Sequence, residues 1–202
     1  MKTQLTDQDA LHIDAGIQEK YGLVAQGPAG HFTYPTGQEG LEKLGYDMDV
    51  VNNLPPATVA AYCGVGNPFS LGSIEAEQSV LDIGCGAGID LLIAAQIVGP
   101  RGRVVGIDMV EAMLDRAQEH IKLSAAQNAC VQKGSAEELE FPDKTFDVVI
   151  SNGVFNLVLD KTKALSEVLR VLKPGGRLII SDQVMIGTQV KDIKTRVATW
   201  FQ

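Results

Sequence analysis

The sequence predicts a doubly wound α/β domain, in which a parallel sheet carries helices on both faces. Three observations support that prediction. From Val80 onward, short apolar runs alternate with amphipathic stretches at a βα rhythm. The run ending at Ile83 passes directly into the turn Gly84-Cys85-Gly86-Ala87-Gly88, which opens an apolar helix. A carboxylate, Asp108, closes the next run, 20 residues beyond Gly88.

Five strands follow from runs rich in β-branched and other apolar residues: 79–84, 103–108, 129–134, 146–151 and 176–182. Four helix candidates lie between them. The stretch 89–99 ends at Gly99-Pro100, a stop signal, and 110–127 places Met113, Leu114, Ala117, Ile121 and Leu123 near one face. The crossover 135–141 is short, and 161–176 closes on Pro174-Gly175-Gly176, which cannot continue a helix and reads as a turn before the fifth strand. Residues 1–78 read differently, with scattered glycine and proline and only short helical patches such as 38–46. They are expected to form an N-terminal cap of short helices and loops on a sheet domain spanning 79–202.

Composition narrows the function. Of 202 residues, 45% are hydrophobic and 21% charged, as in ordinary folded chains, and the length suits one domain with a small extension. A formal net charge of −8 repels phosphate backbones and anionic membrane surfaces, which argues against nucleic acid as the main partner. The opening ten residues are polar and acidic where a signal peptide needs an apolar core, and no apolar stretch approaches the length of a membrane span. A cytoplasmic location without membrane attachment is therefore expected. Cys63, Cys85 and Cys130 are odd in number and widely spaced, which suits reduced thiols, and no metal site is visible.

The chemistry concentrates at Asp82-Ile83-Gly84-Cys85-Gly86-Ala87-Gly88. A glycine-rich turn before a helix lets backbone approach a ligand closely, while the helix N-terminus offers N–H groups to an anion. Asp108 at a strand end can accept hydrogen bonds from two ribose hydroxyls. A nucleoside ligand follows. The glycines fall as GxGxG rather than the dinucleotide GxGxxG, with Asp82 two positions before the first. That favours S-adenosylmethionine over NAD: an amino-acid tail needs a carboxylate partner, assigned to the Gly84–Gly88 amides, and an ammonium partner, assigned to Asp82. Ser135, Ala136 and Glu137 after the third strand are assigned to the adenine edge. Ser151 and Asn152 after the fourth are assigned to the methionine portion.

Residues 79–182 resemble the class I S-adenosylmethionine-dependent methyltransferase family, with VLDIGCGAG, VVGIDM, GSAEELEFPDKTFDVVISN and VLRVLKPGGRLIISD in the family's order and spacing. Across roughly residues 20–200, FTYPTGQEGLEKLGY, YCGVGNPFSLG, GIDMVEAMLDRAQ and SNGVFNLVLDK are similar to the arsenite methyltransferase group within it. The resemblance implies a Rossmann-like sheet, with Asp82, Gly84, Cys85, Gly86 and Gly88 around the methionine end. It also puts Asp108 on the ribose and Met109 on the adenine. In the arsenite group one cysteine precedes the GNP turn and another follows the Ser-Asn pair, because thiolates bind trivalent arsenic. This chain has Val65 and Gly153 there, and Cys63 alone cannot replace a multi-thiolate site, so arsenite is not the expected acceptor.

The expected reaction is in-line methyl transfer to a small-molecule acceptor, for which the protein aligns donor and acceptor and excludes water. Tyr46, Cys63, Asn67, Phe155 and Asn156 are candidate acceptor-pocket residues. If the acceptor needs a base, His12, His31 and His120 are candidates by type, with His120 expected at a helix surface. Two rival functions remain: a catalytically silent cofactor-binding subunit or sensor, and an NAD-linked oxidoreductase. The family's sheet resembles seven strands ending in a hairpin, and after Asp182 there is length only for a helix over 191–201. Either the sequence is a fragment, or the cap or a second subunit covers the edge of the fifth strand, the latter giving a homodimer.

Overall fold

The computed structural model describes residues 5–184 together with Val197, so apart from Val197 the helix expected over 191–201 lies outside the described residues. Five strands, β1 (Ser79–Ile83), β2 (Arg103–Asp108), β3 (Ala129–Lys133), β4 (Phe146–Asn152) and β5 (Leu172–Ser181), form one sheet in the order β3-β2-β1-β4-β5. Every pairing is parallel. The chain runs outward from β1 to β3 and then crosses back to β4. The crevice between β1 and β4, at their carboxyl ends, is the switch point where such sheets hold ligands.

Alternation along the strands fills both faces. Val80, Val104, Val148 and Ile150 pack with α5 (Ile89–Val98) and α6 (Glu111–Leu123). Leu81, Ile83, Val105, Ile107 and Val149 meet Ala164, Val168 and Val171 of α7 (Lys161–Val171) on the other face. A sheet buried on both sides explains strands that read as continuous apolar runs.

Three boundaries depart from expectation. Residues 135–141 form no helix; Ser135 and Glu138 make an isolated bridge and the segment turns. The fourth predicted helix stops at Val171, and Pro174-Gly175-Gly176 lies inside β5 rather than before it. There the register jumps, Leu172 opposing Phe146 and Arg177 opposing Val148, so the turn residues bulge out between two paired segments. Gly175, at a φ of 80°, supplies the left-handed backbone this requires.

The largest difference is N-terminal. Instead of short patches alone, α1 (Asp7–Val24) is an 18-residue helix. Thr6 caps it: its side chain accepts from the Asp9 N–H, and Asp9 reaches back to the Thr6 N–H at 2.9 Å, a capping box. Ile13, Ile17 and Val24 are its buried residues, too sparse to show a helical period from sequence. Three short helices follow, α2 (Gly37–Lys43), α3 (Met48–Val51) and α4 (Pro56–Ala60). Leu41, Val51, Leu54 and Tyr62 from this region join the same core as α5 and α6.

Candidate functional site

The glycine-rich turn links β1 to α5 beneath a cavity of about 460 Å³. Gly84 takes a φ of 71°, and a Cβ there would meet the Val154 side chain at 2.1 Å, so only glycine lets the end of β1 run this close to the β4 loop. Gly86, at a φ of 51°, has nothing within 4 Å of its Cβ position. The turn is held to β2: the Gly84 and Cys85 N–H groups both donate to the Ile107 carbonyl, at 2.8 and 2.9 Å. Asp108 accepts from the Gly86 N–H and the Val110 N–H, each at 2.9 Å, so it fixes the turn as well as facing the cavity. The Gly88 N–H donates to the Cys85 carbonyl at 2.8 Å.

Four of the five turn amides, those of Gly84, Cys85, Gly86 and Gly88, are spent on internal hydrogen bonds, which leaves the Ala87 N–H as the turn donor open to a ligand.

Electrostatically the cavity floor is acidic. Asp82 is 2% exposed and its Oδ2 has no hydrogen-bond partner. Burial pushes its carboxyl well above the usual carboxylate range, and the charges of Asp90 and Asp108 push it further. Burial also raises Asp90, to about 6, against hydrogen bonds from Asn152 and Tyr46 that lower it. Asp108 is raised by burial too, its backbone hydrogen bonds opposing the shift. Two buried carboxylates and the half-buried Asp108 on one cavity suit a ligand that brings positive charge.

The sequence-predicted residues divide into two groups. Asp82, Gly84, Cys85, Gly86, Asp108, Met109, Ser135, Ala136, Glu137, Asn152, Cys63 and Asn156 all line the cavity. Gly88 caps α5 beside it at a φ of 88°. Ser151 is fully buried and donates to the Ile83 carbonyl at 3.0 Å, tying β4 to β1. Asn67 caps the 3-10 turn Pro68–Ser70 and donates to the Gly45 carbonyl at 2.9 Å, and Phe155 packs with the α7 core. Tyr46 stands behind the wall, donating to Asp90 at 2.8 Å.

Of the histidines, His31 lines the cavity. His120 is completely buried rather than at the surface: its Nδ1 lies 2.8 Å from the Ala87 carbonyl, bracing the turn from below. Burial lowers its pKa, which keeps the ring neutral.

Residues that the sequence did not disclose complete the site. Asp90 lines the cavity and Asn152 donates to it at 2.9 Å, while the Asn152 Oδ1 accepts from the Val65 and Gly66 N–H groups at 2.9 and 3.0 Å. From the N-terminal region come Asp14, Ile17, Lys20, Tyr21, Phe32 and Tyr34. Gln18 on α1 donates to the Met109 carbonyl at 2.9 Å, which holds that helix over the end of β2. Val65 and Gly153 face one another, a Cβ at Gly153 falling 3.4 Å from the Val65 methyl groups. Among the described residues no cluster of three or more His, Cys, Asp or Glu is placed to hold a metal, and no helix is long and apolar enough to cross a membrane.

A family described as Methyltransferase domain matches residues 74–200. The arsenite methyltransferase of Halobacterium salinarum is 34% identical over 96% of this chain and 53% of its own length. The demethylmenaquinone methyltransferase of Symbiobacterium thermophilum is 41% identical over 50% of this chain and 40% of its own. Among solved structures, an arsenic (III) S-adenosylmethionine methyltransferase from Chlamydomonas reinhardtii superimposes with a TM-score of 0.62 at 36% identity, covering 67% of this chain and 48% of that one. The chain thus spans about half the length of the curated relatives it matches.

Proposed function

Because the chain belongs to the S-adenosylmethionine-dependent methyltransferase family, near its arsenite methyltransferase group, we propose that its cavity is a methyl-transfer site for a small-molecule acceptor. One observation carries this reading. The unpartnered Asp82 Oδ2, buried with Asp90 and lining one cavity with the half-buried Asp108 beside the N-terminus of α5, suits a ligand carrying an ammonium and a sulfonium together with a carboxylate. A nicotinamide dinucleotide lacks the ammonium and adds two phosphate charges, which three carboxylates would repel.

Asp82 is proposed to accept from the amino-acid ammonium, and the Ala87 N–H with the first turn of α5 to hold its carboxylate. Asp108 would take the ribose hydroxyls, with Met109, Ser135, Ala136 and Glu137 bordering the adenine. When bound, S-adenosylmethionine supplies an activated methyl group, so the chain's own task is alignment and exclusion of water. Residues 5–78 would perform it as a cap, through α1 and the wall formed by Phe32, Tyr34, Cys63 and Gly64.

Arsenite is not the acceptor favoured here. Val65 and Gly153, which face each other on the wall, offer hydrocarbon where two thiolates would be needed. Calorimetric titration with adenosylhomocysteine and NADH tests the reading, followed by product formation from labelled S-adenosylmethionine with small-molecule fractions. Micromolar binding of adenosylhomocysteine alone is expected; preference for NADH would overturn the assignment.

A further inference from the structure

Two buried carboxylates line the cavity and differ in what surrounds them. The Asp82 Oδ2, at the end of β1, has no hydrogen-bond partner. Asp90, in the first turn of α5, has a donor on each oxygen: the Tyr46 hydroxyl at 2.8 Å on Oδ1 and the Asn152 amide at 2.9 Å on Oδ2. The Tyr62 hydroxyl donates in turn to that of Tyr46 at 3.2 Å. After burial itself, the charges that raise Asp82 are those of Asp90 and Asp108, with the Leu91 N–H opposing them. Asp108 accepts two backbone N–H groups, which favour its ionised form. Burial keeps the thiols of Cys85 and Cys63 protonated, the latter pushed up to about 12. Asp14 and Lys20 on α1, His31 after it and Glu137 after β3 also line the cavity.

Two buried carboxylates that act on one another do not both ionise cheaply, and a proton then belongs to the pair. Donors on both Asp90 oxygens stabilise its anion, whereas the bare Asp82 oxygen has no such support. We propose that the unliganded site keeps one proton on Asp82, with Asp90 held ionised by Tyr46 and Asn152, and that Asp82 releases this proton to solvent on accepting from a ligand ammonium. This rests on the reading of the cavity as an S-adenosylmethionine site and adds that loading is linked to pH. The Asp82 O–H bond breaks, its carboxylate takes an ammonium N–H instead, and the proton passes to the buffer. Release of a proton on binding means that affinity rises with pH and that acid empties the site. Tyr46, which touches Asp90 and not the ligand, is a positioning residue in this scheme.

Calorimetric titration of the chain near neutral pH, in buffers of unlike ionisation enthalpy, counts the protons released. Adenosylhomocysteine, which carries the ammonium, is expected to release ~0.5–1 proton, and methylthioadenosine, which keeps the nucleoside but lacks the amino-acid tail, ~0. Adenosylhomocysteine affinity should also rise several-fold from pH ~6 to ~7. Asp82→Asn should abolish the release, and Tyr46→Phe, which strips a donor from Asp90, should move the rise in affinity to higher pH. Where Asp82→Asn binds too weakly to measure, the two ligands on the unaltered chain decide. Equal release by both ligands, binding of adenosylhomocysteine with no release, or release that survives Asp82→Asn would each overturn the proposal and leave the methyl-transfer reading standing. Failure of adenosylhomocysteine to bind at any pH in that range would overturn both.

Discussion

The Asn152 side-chain amide donates to the Asp90 carboxylate at 2.9 Å and to the Gly66 carbonyl at 2.8 Å, so one residue joins the end of β4, the first turn of α5 and the N-terminal region. Its Oδ1 closes the junction by accepting from Val65 and Gly66. Asn152→Ala would strand these partners in a buried setting. A loss of ~2–4 kcal/mol is expected, several hydrogen bonds to a charged and neutral set failing together. Urea unfolding measures it; a loss below about 0.5 kcal/mol would show that water replaces the amide.

Asp90 titrates within reach of experiment. Its folded value, about 6, lies above the ordinary carboxylate value of 3.8, so the folded chain holds the proton more tightly than the unfolded one. The associated stability is complete below about pH 4 and is lost as pH rises through about 6. Relative to Asp90→Asn, the unliganded protein should lose on the order of 2–3 kcal/mol between those values and little more above pH ~7. Urea midpoints across that range decide it, and a constant difference between the two proteins would refute the assignment.

Asp82 should separate stability from ligand binding. Burial raises its carboxyl and one oxygen has no partner, so Asp82→Asn removes a buried charge that the unliganded fold tolerates poorly. The variant should melt at the same temperature as the parent or a few degrees higher. Its affinity for S-adenosylmethionine should fall roughly 10–100-fold, the worth of one charge-assisted hydrogen bond. Thermal melts paired with calorimetry test this; parallel losses in both would make Asp82 a purely structural residue.

Two glycines in one turn should respond differently. Gly84→Ala drives a methyl group to 2.1 Å from Val154 at a φ of 71°, which combines overlap with backbone strain. A cost of ~3 kcal/mol or more in stability is expected. Gly86→Ala meets open space at a φ of 51°, so its cost should stay near the ~1–2 kcal/mol of left-handed backbone. Its main effect should be on ligand affinity, because the added methyl group projects into that open space. Equal destabilisation of the two variants would contradict the geometry.

Much of this was legible because the apolar runs, the βα rhythm and the glycine spacing are local patterns in the sequence. The apolar runs around Val80, Val104, Val131, Val148 and Ile179 marked the five strands, and the GxGxG spacing with Asp82 and Asp108 located the cavity floor. The remainder depends on contacts between distant segments. Asp90 reads as an ordinary first-turn residue until Tyr46 and Asn152 reach it from 44 and 62 positions away. Lys20, Phe32 and Tyr34 sit in a region whose long helix shows no strong period, although Thr6 and Asp9 carried a capping signal. His120 resembled a surface residue because its buried partner is a backbone carbonyl, which has no signature in sequence.

α5 has no wet side. Eight of its ten residues are buried, from Ile89 to Val98, with the sheet beneath and residues of α2 and α3 in the same core above. A polypeptide begun at Ser79 would therefore present an oily ridge to solvent beside the glycine-rich turn. Residues 5–78 thus share the core of the sheet, and separating them from it should yield aggregation rather than a minimal sheet domain.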